Sequence, residues 1–265
     1  MCYKRKYTVC RLIDIHLYNS SKIYITNICE SYTIANSTLQ RVNTVKDLGT
    51  WFDSRLTFID HITKLCAKSR KNLGFVLRQS RLFHDRSTLC VLYNAYVRCT
   101  LETNALVWNP YQIQYTQEIE KIQKSFVRYL FKKMYFYYPC LYPTLYIVGM
   151  VDYRMLAVRR NIALVTYIFH LIRGFKYNPS LLAQVSFHVP RHGSYTVREH
   201  RQRLLAVPTA RTNLGHFAPL PRALRYINEV LIYDSTLDLF SCTERSFLTV
   251  AGHYIETLTI DSSIV

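Results

Sequence analysis

The sequence has few of the residues that interrupt helices: 265 positions hold 7 glycines and 8 prolines. Sandwiches and barrels close many tight turns and draw on glycine to do so, so this scarcity argues against an all-β fold and favours a mainly helical one. Acidic side chains are also scarce, 17 Asp and Glu against 34 Lys and Arg, leaving a formal charge of +17. Such a charge does not specify a fold, but it predicts affinity for polyanions. The eight cysteines show no CxxC spacing, and Lys4, Arg5 and Lys6 lead into a mixed stretch rather than a secretory signal. Reduced, buried thiols in an intracellular setting are therefore expected, not a disulfide scaffold. The long uncharged run, Met134 to Val151, has 18 residues and contains Pro139 and Pro143. Two prolines would leave backbone groups unsatisfied in lipid, so a buried irregular connection is expected and no membrane partner.

What is present is apolar material, 49% of the residues, enough for a sizeable core. The charge is unevenly placed. Residues 1–60 carry a net +3, residues 61–135 a net +9, residues 136–149 none, residues 150–211 a net +8 and residues 212–265 a net −3. Helical spacing is clearest in the basic middle. From Asp60 to Arg78 an inner stripe of Ile62, Leu65, Cys66, Leu73, Val76 and Leu77 opposes Lys64, Lys68, Lys71 and Arg78. A second helix is expected after Asp85 as N-cap, burying Leu89, Leu92, Tyr93, Tyr96 and Leu101. A third follows Thr116, with Ile119, Ile122, Phe126, Val127 and Leu130 inside and Lys121, Lys124, Arg128 and Lys132 outside. Further helices are expected over 152–173 and 222–240, whereas Lys22 to Ile34 and Leu39 to Phe52 alternate like short strands. A lysine stripe opposite an apolar face is commonly just the solvated side of a helix. Two such stripes with few glutamates to pair them point instead towards phosphate binding.

Self-sufficient chemistry is not evident. The phosphate-cradling GxGxxG and GxxxxGK patterns and the GxSxG elbow do not occur. His188 and His192 are four apart without the acidic residue or cysteines that would complete a metal set. Two-metal nucleotidyl transfer needs gathered carboxylates, yet there is no Asp-Asp pair, and Asp47, Asp53 and Asp60 fall on an expected strand, turn and helix cap. No catalytic residue, metal ligand, cofactor or small-molecule substrate is expected.

Particular words nevertheless recur in a known order. Arg41-Val42-Asn43-Thr44-Val45-Lys46-Asp47-Leu48-Gly49, followed by Phe52-Asp53-Ser54-Arg55-Leu56-Thr57-Phe58-Ile59-Asp60-His61-Ile62, resembles a passage of non-LTR retrotransposon reverse transcriptases of the jockey type. Leu73-Gly74-Phe75-Val76 with Arg78, Leu92-Tyr93 with Val97-Arg98 and Leu101-Glu102, and Val107-Trp108-Asn109-Pro110 are similar to later words of that family. So are Ile119-Glu120-Lys121-Ile122-Gln123 and Phe126-Val127-Arg128, with weaker matches at Arg159-Arg160, Leu181-Leu182, Phe187 to Arg191, Arg211 to Asn213 and Pro221-Arg222. The ordered set spans roughly residues 38–230. Thr103 and Thr50-Trp51 depart from it, standing where the family has an aromatic and an aliphatic residue.

The resemblance implies a fragment: residues 1–58 as a palm-end remnant with a primer-grip-like hairpin at Asp47, Leu48 and Gly49, residues 59–135 as a thumb-like basic helical bundle, and residues 136–265 as a C-terminal helical region. The fold class is then mainly α, with a short β-rich segment before the bundle. It implies catalytic fingers and palm upstream, with Mg ions whose ligands are missing from this chain. It also implies that Lys64, Lys68, Lys71, Arg78, Lys121, Lys124 and Arg128 grip an RNA or DNA template–primer duplex without polymerising it. Phosphate contacts of that kind position a duplex without reading its sequence. Gly49 would permit close backbone approach to nucleic acid or simply close a hairpin. The alternatives are a helical module that meets acidic proteins, and a transposon remnant without function.

Overall fold

A computed structural model describes residues 33–34, 37–38, 42–137, 153–188 and 203–264. The chain divides into two units, Met1–Ala67 and Lys68–Val265, with the boundary inside the first long helix. Most of the expected strand from Lys22 and most of the uncharged run from Met134 lie outside the described residues.

In the first unit two antiparallel pairs precede the helix. Strand β1 (Thr33–Ile34) pairs with β2 (Ser37–Thr38), and β3 (Thr44–Asp47) pairs with β4 (Thr50–Asp53) in the register Thr44 to Asp53 and Asp47 to Thr50. The loop between β3 and β4 is two residues long, and both lie at positive φ, Leu48 at 44° and Gly49 at 88°. That is the primed-turn geometry whose twist matches the flanking strands. A Cβ placed at Gly49 would meet no atom within 4 Å, so only the backbone conformation demands glycine there. We expect Gly49→Ala to cost about 1–2 kcal/mol in urea unfolding, purely through φ; an unchanged midpoint would contradict this. After β4 the Asp53 carboxylate accepts the N–H groups of Thr57 (3.0 Å) and Phe58 (2.8 Å) and the Thr57 hydroxyl (2.9 Å). Partial burial works to raise its pKa, but those bonds outweigh it and hold the carboxyl below its ordinary value. Asp53 thereby fixes the entry into α1 (Ile59–Gln79), with Asp60 in its first turn.

The second unit is helical almost throughout. After a 3₁₀ turn, Ser80–Leu82, come α2 (Arg86–Tyr93), a π turn over Asn94–Arg98, α3 (Cys99–Glu102), α4 (Ala105–Trp108) and α5 (Ile113–Tyr135). They are followed by α6 (Leu156–Ile172), α7 (Pro179–Leu182), β5 (Ser186–Phe187), β6 (Leu205–Ala206), α8 (Asn213–His216), α9 (Pro219–Tyr233) and α10 (Glu244–Ile264). The chain is thus mainly helical with a short β segment towards its N-terminal side. The inner stripes hold: Ile62, Cys66, Leu73 and Val76 on α1 and Ile119, Ile122, Phe126, Val127 and Leu130 on α5 are buried. Asp85 caps α2, accepting from Thr88 N–H (2.8 Å), Thr88 Oγ1 (2.7 Å) and Ser87 Oγ (3.0 Å), bonds that hold its pKa down at about 2. Tyr93 stacks on Phe126 with ring centroids 4.0 Å apart, and Phe169 on Phe247 at 4.3 Å. The second stack belongs to the core that α6, α9 and α10 build together.

Three features differ from the periodicity reading. Tyr96 is exposed rather than buried, and Val97 takes the inner position. The π turn adds a residue to one helical turn, so the inner stripe runs Leu89, Tyr93, Val97, Leu101 at steps of four and carries Tyr96 outward. The 222–240 helix instead begins at Pro219, whose fixed φ suits a first helical position, and ends at Tyr233, and a further helix, α10, buries Phe247, Ala251 and Ile255. Finally, β5 and β6 form a pair too short to leave an alternating pattern. Asn228 acts as a surrogate strand beside it, accepting the Leu205 N–H (2.9 Å) and donating to the Leu205 carbonyl (2.8 Å). The described cysteines Cys66, Cys90, Cys99 and Cys242 form no disulfide, with Cys66 buried and Cys99 exposed. No helix among the described residues is long and apolar enough to cross a membrane.

Candidate nucleic-acid interface

The basic residues predicted from sequence all face outward, but in three different settings. In the first unit, Lys64 lies over the indole of Trp51, its Nζ 3.4 Å from the ring centroid, with Lys46 at 5.9 Å. This cation–π contact commits the Lys64 ammonium to an aromatic face as well as to solvent. The Trp51 backbone N–H in turn donates to His61 Nδ1 (3.3 Å). Burial lowers the His61 pKa, which favours the neutral ring that can accept this bond. Trp51, a departure from the family pattern, therefore explains where Lys64 goes. At the hairpin tip Asp47, Leu48 and Gly49 are all exposed, Leu48 to 89%.

In the second unit Lys68, Lys71 and Arg78 project from the outer side of α1, and Lys121, Lys124 and Arg128 from that of α5, where Lys124 is half-buried. Among the described residues no carboxylate lies within 4.0 Å of the charged nitrogens of Lys68, Lys71, Arg78 or Lys124. Lys121 differs. It pairs with Glu118 at 4.0 Å, and Glu118 also holds Arg70 of α1 at 2.9 Å. Arg70 of α1 and Lys121 of α5 line a groove of about 300 Å³ together with Leu73, Gly74, Leu77, Ile122 and Ser125. Sequence reasoning missed Arg70 because it falls outside the main stripe. Its position is meaningful only once α5 lies alongside.

Many words that carry the family resemblance serve the interior instead. Trp108 is buried and donates its indole N–H to the Thr103 carbonyl (2.8 Å). The next residue, Asn109, accepts from Arg160 Nε (2.9 Å) through its side chain and from Arg222 Nη1 (3.1 Å) through its carbonyl, and donates to Asn161 Oδ1 (2.9 Å). Buried Glu120 accepts the Ala157 N–H (2.7 Å) at the start of α6, and Gln123 donates to the Arg154 carbonyl (2.8 Å). Glu102 forms a two-pronged ion pair with Arg159, whose Nη2 lies 3.1 Å from it. These residues form a polar framework that fastens α3, α4 and α5 to α6 and α9.

Among the described residues no three His, Cys, Asp or Glu side chains gather to hold a metal ion, and Asp53 is engaged with Thr57 and Phe58. His188 is exposed at the end of β5, and His192 lies outside the described residues. A second cavity of about 350 Å³ is lined by Arg203, His216, Arg225, Asn228 and Glu229. There Arg225 Nη2 donates to the His216 carbonyl (2.6 Å), and burial pushes Glu229 above its ordinary pKa. The chain matches no protein-family model, no curated protein and no solved structure.

Proposed function

We propose that the chain is a nucleic-acid-gripping module related to the end of the palm, the thumb and the downstream region of a non-LTR retrotransposon reverse transcriptase. It would hold RNA or DNA non-specifically through phosphates and would not polymerise, because its sequence has no Asp-Asp pair for the metal ions. The observation that carries this reading is the outward row of Lys68, Lys71 and Arg78 on α1, without a carboxylate within 4.0 Å among the described residues, beside a groove lined by Arg70 and Lys121. An ordinary soluble surface intersperses both signs, whereas here cations outnumber the one carboxylate of Glu118 that pairs with Arg70 and Lys121, an excess suited to a polyanion.

The test is a binding titration against a labelled duplex over a salt series. Some six phosphate contacts correspond to a slope of about −5 in log K against log salt. A slope near zero, or no binding at low salt, would overturn the proposal.

A further inference from the structure

The outer face of α1 carries more than charge. At about 100° per residue, Lys68, Lys71, Phe75 and Arg78 fall within about 80° of arc on one side of the helix. The ring of Phe75 stands in the middle of that stripe and is 45% exposed. Beside it is Tyr96, 49% exposed, with ring centroids 5.9 Å apart and planes tilted by 53°. Tyr96 reaches this position because of the π turn, and Asn72 pins that turn to α1 by donating to the Tyr96 carbonyl (2.8 Å). On the other flank the Arg78 guanidinium lies against Gly74, 3.4 Å from where a Cβ would stand. The aromatic pair is therefore held by backbone on one side and bordered by cations on the other.

We propose that Phe75 and Tyr96 are a stacking platform for unpaired bases of a single-stranded nucleic acid, whose phosphates lie on Lys68, Lys71 and Arg78. This rests on the nucleic-acid reading above and states which form of nucleic acid the face takes. In a duplex the base faces are already stacked inside, so two exposed rings have no π-face to meet. In a single strand or frayed end, each base offers one, and the phosphates follow at a spacing that a basic stripe can track. Cations of one sign along the rim favour this occupant over an apolar protein segment, which would bury the rings but leave the lysines unmatched.

The experiment compares a fluorescent single strand with a duplex of the same sequence by anisotropy at fixed salt, using the full chain and its Phe75→Ala and Tyr96→Ala variants. Each variant should weaken single-strand binding roughly 5- to 100-fold while changing duplex binding little and leaving the salt slope intact. Thermal unfolding of each variant checks the fold. In parallel, photo-crosslinking of a halogenated-uracil strand to the unmodified chain should label Phe75 or Tyr96. Equal losses for strand and duplex, no loss for either, or crosslinks confined to other residues would overturn the platform. Failure of the unmodified chain to bind any nucleic acid would instead overturn the broader reading, so the two failures are distinguishable.

Discussion

Arg160→Ala should lower the unfolding free energy by about 1–3 kcal/mol, the range for leaving a buried hydrogen-bond partner unsatisfied. Arg160 is 1% exposed on α6, donates to Asn109 through Nε (2.9 Å), and its charge acts on buried Glu120. Without it, Asn109 loses a donor in the interior and Glu120 loses a favourable cation. The pH dependence gives an independent signature. Burial raises the Glu120 pKa above its ordinary 4.5, so the folded state favours the protonated form. The stability linked to that group is fully present below 4.5 and is lost as pH rises through the folded-state value. Removing Arg160 should push the folded-state value higher still, so the variant should lose stability more steeply than the parent as the pH is raised from acidic to neutral. Urea unfolding at several pH values reads both effects, and a loss below about 1 kcal/mol would show that the framework is not cooperative.

Reversing Lys68, Lys71 and Arg78 together to Glu should abolish most nucleic-acid binding while leaving the fold intact. None of the three has a carboxylate partner within 4.0 Å among the described residues, so each reversal removes a phosphate contact without breaking an ion pair. The salt slope should fall by about three, close to one unit per lost contact. Far-ultraviolet circular dichroism and the melting temperature should stay near those of the parent, as expected for exposed positions. Lys121 is deliberately left out, since its pairing with Glu118 would mix a structural effect into the result. An unchanged slope with intact folding would favour a module whose basic faces meet acidic proteins.

Much of the helical architecture is legible in the sequence because long amphipathic stripes are a local property. The inner residues of α1 and α5 could be listed from spacing alone, and Asp85 could be named as a cap from its place before an apolar run. Tyr96 could not, because a single π turn changes the phase without changing composition. The β5–β6 pair and the Asn228 bonds beside it involve two residues per strand, too few for alternation to register. The candidate site shows the same division. Lys68, Lys71, Arg78, Lys121, Lys124 and Arg128 follow from the stripe, whereas Arg70, Trp51 over Lys64, and the Phe75–Tyr96 pair depend on which segments become neighbours.

The scarcity of glycine and acid determined by itself that the chain is helical and basic, and helical phase determined which cations face outward. Only the tertiary structure decided what those cations and motif words do. It turned Asn109, Glu120, Arg160 and Arg222 into an interior framework, because their polar atoms find partners far away in sequence. It also brought Arg70 and Lys121 to one groove and Phe75 beside Tyr96, since a contact between two helices is a property of their packing and not of either sequence alone.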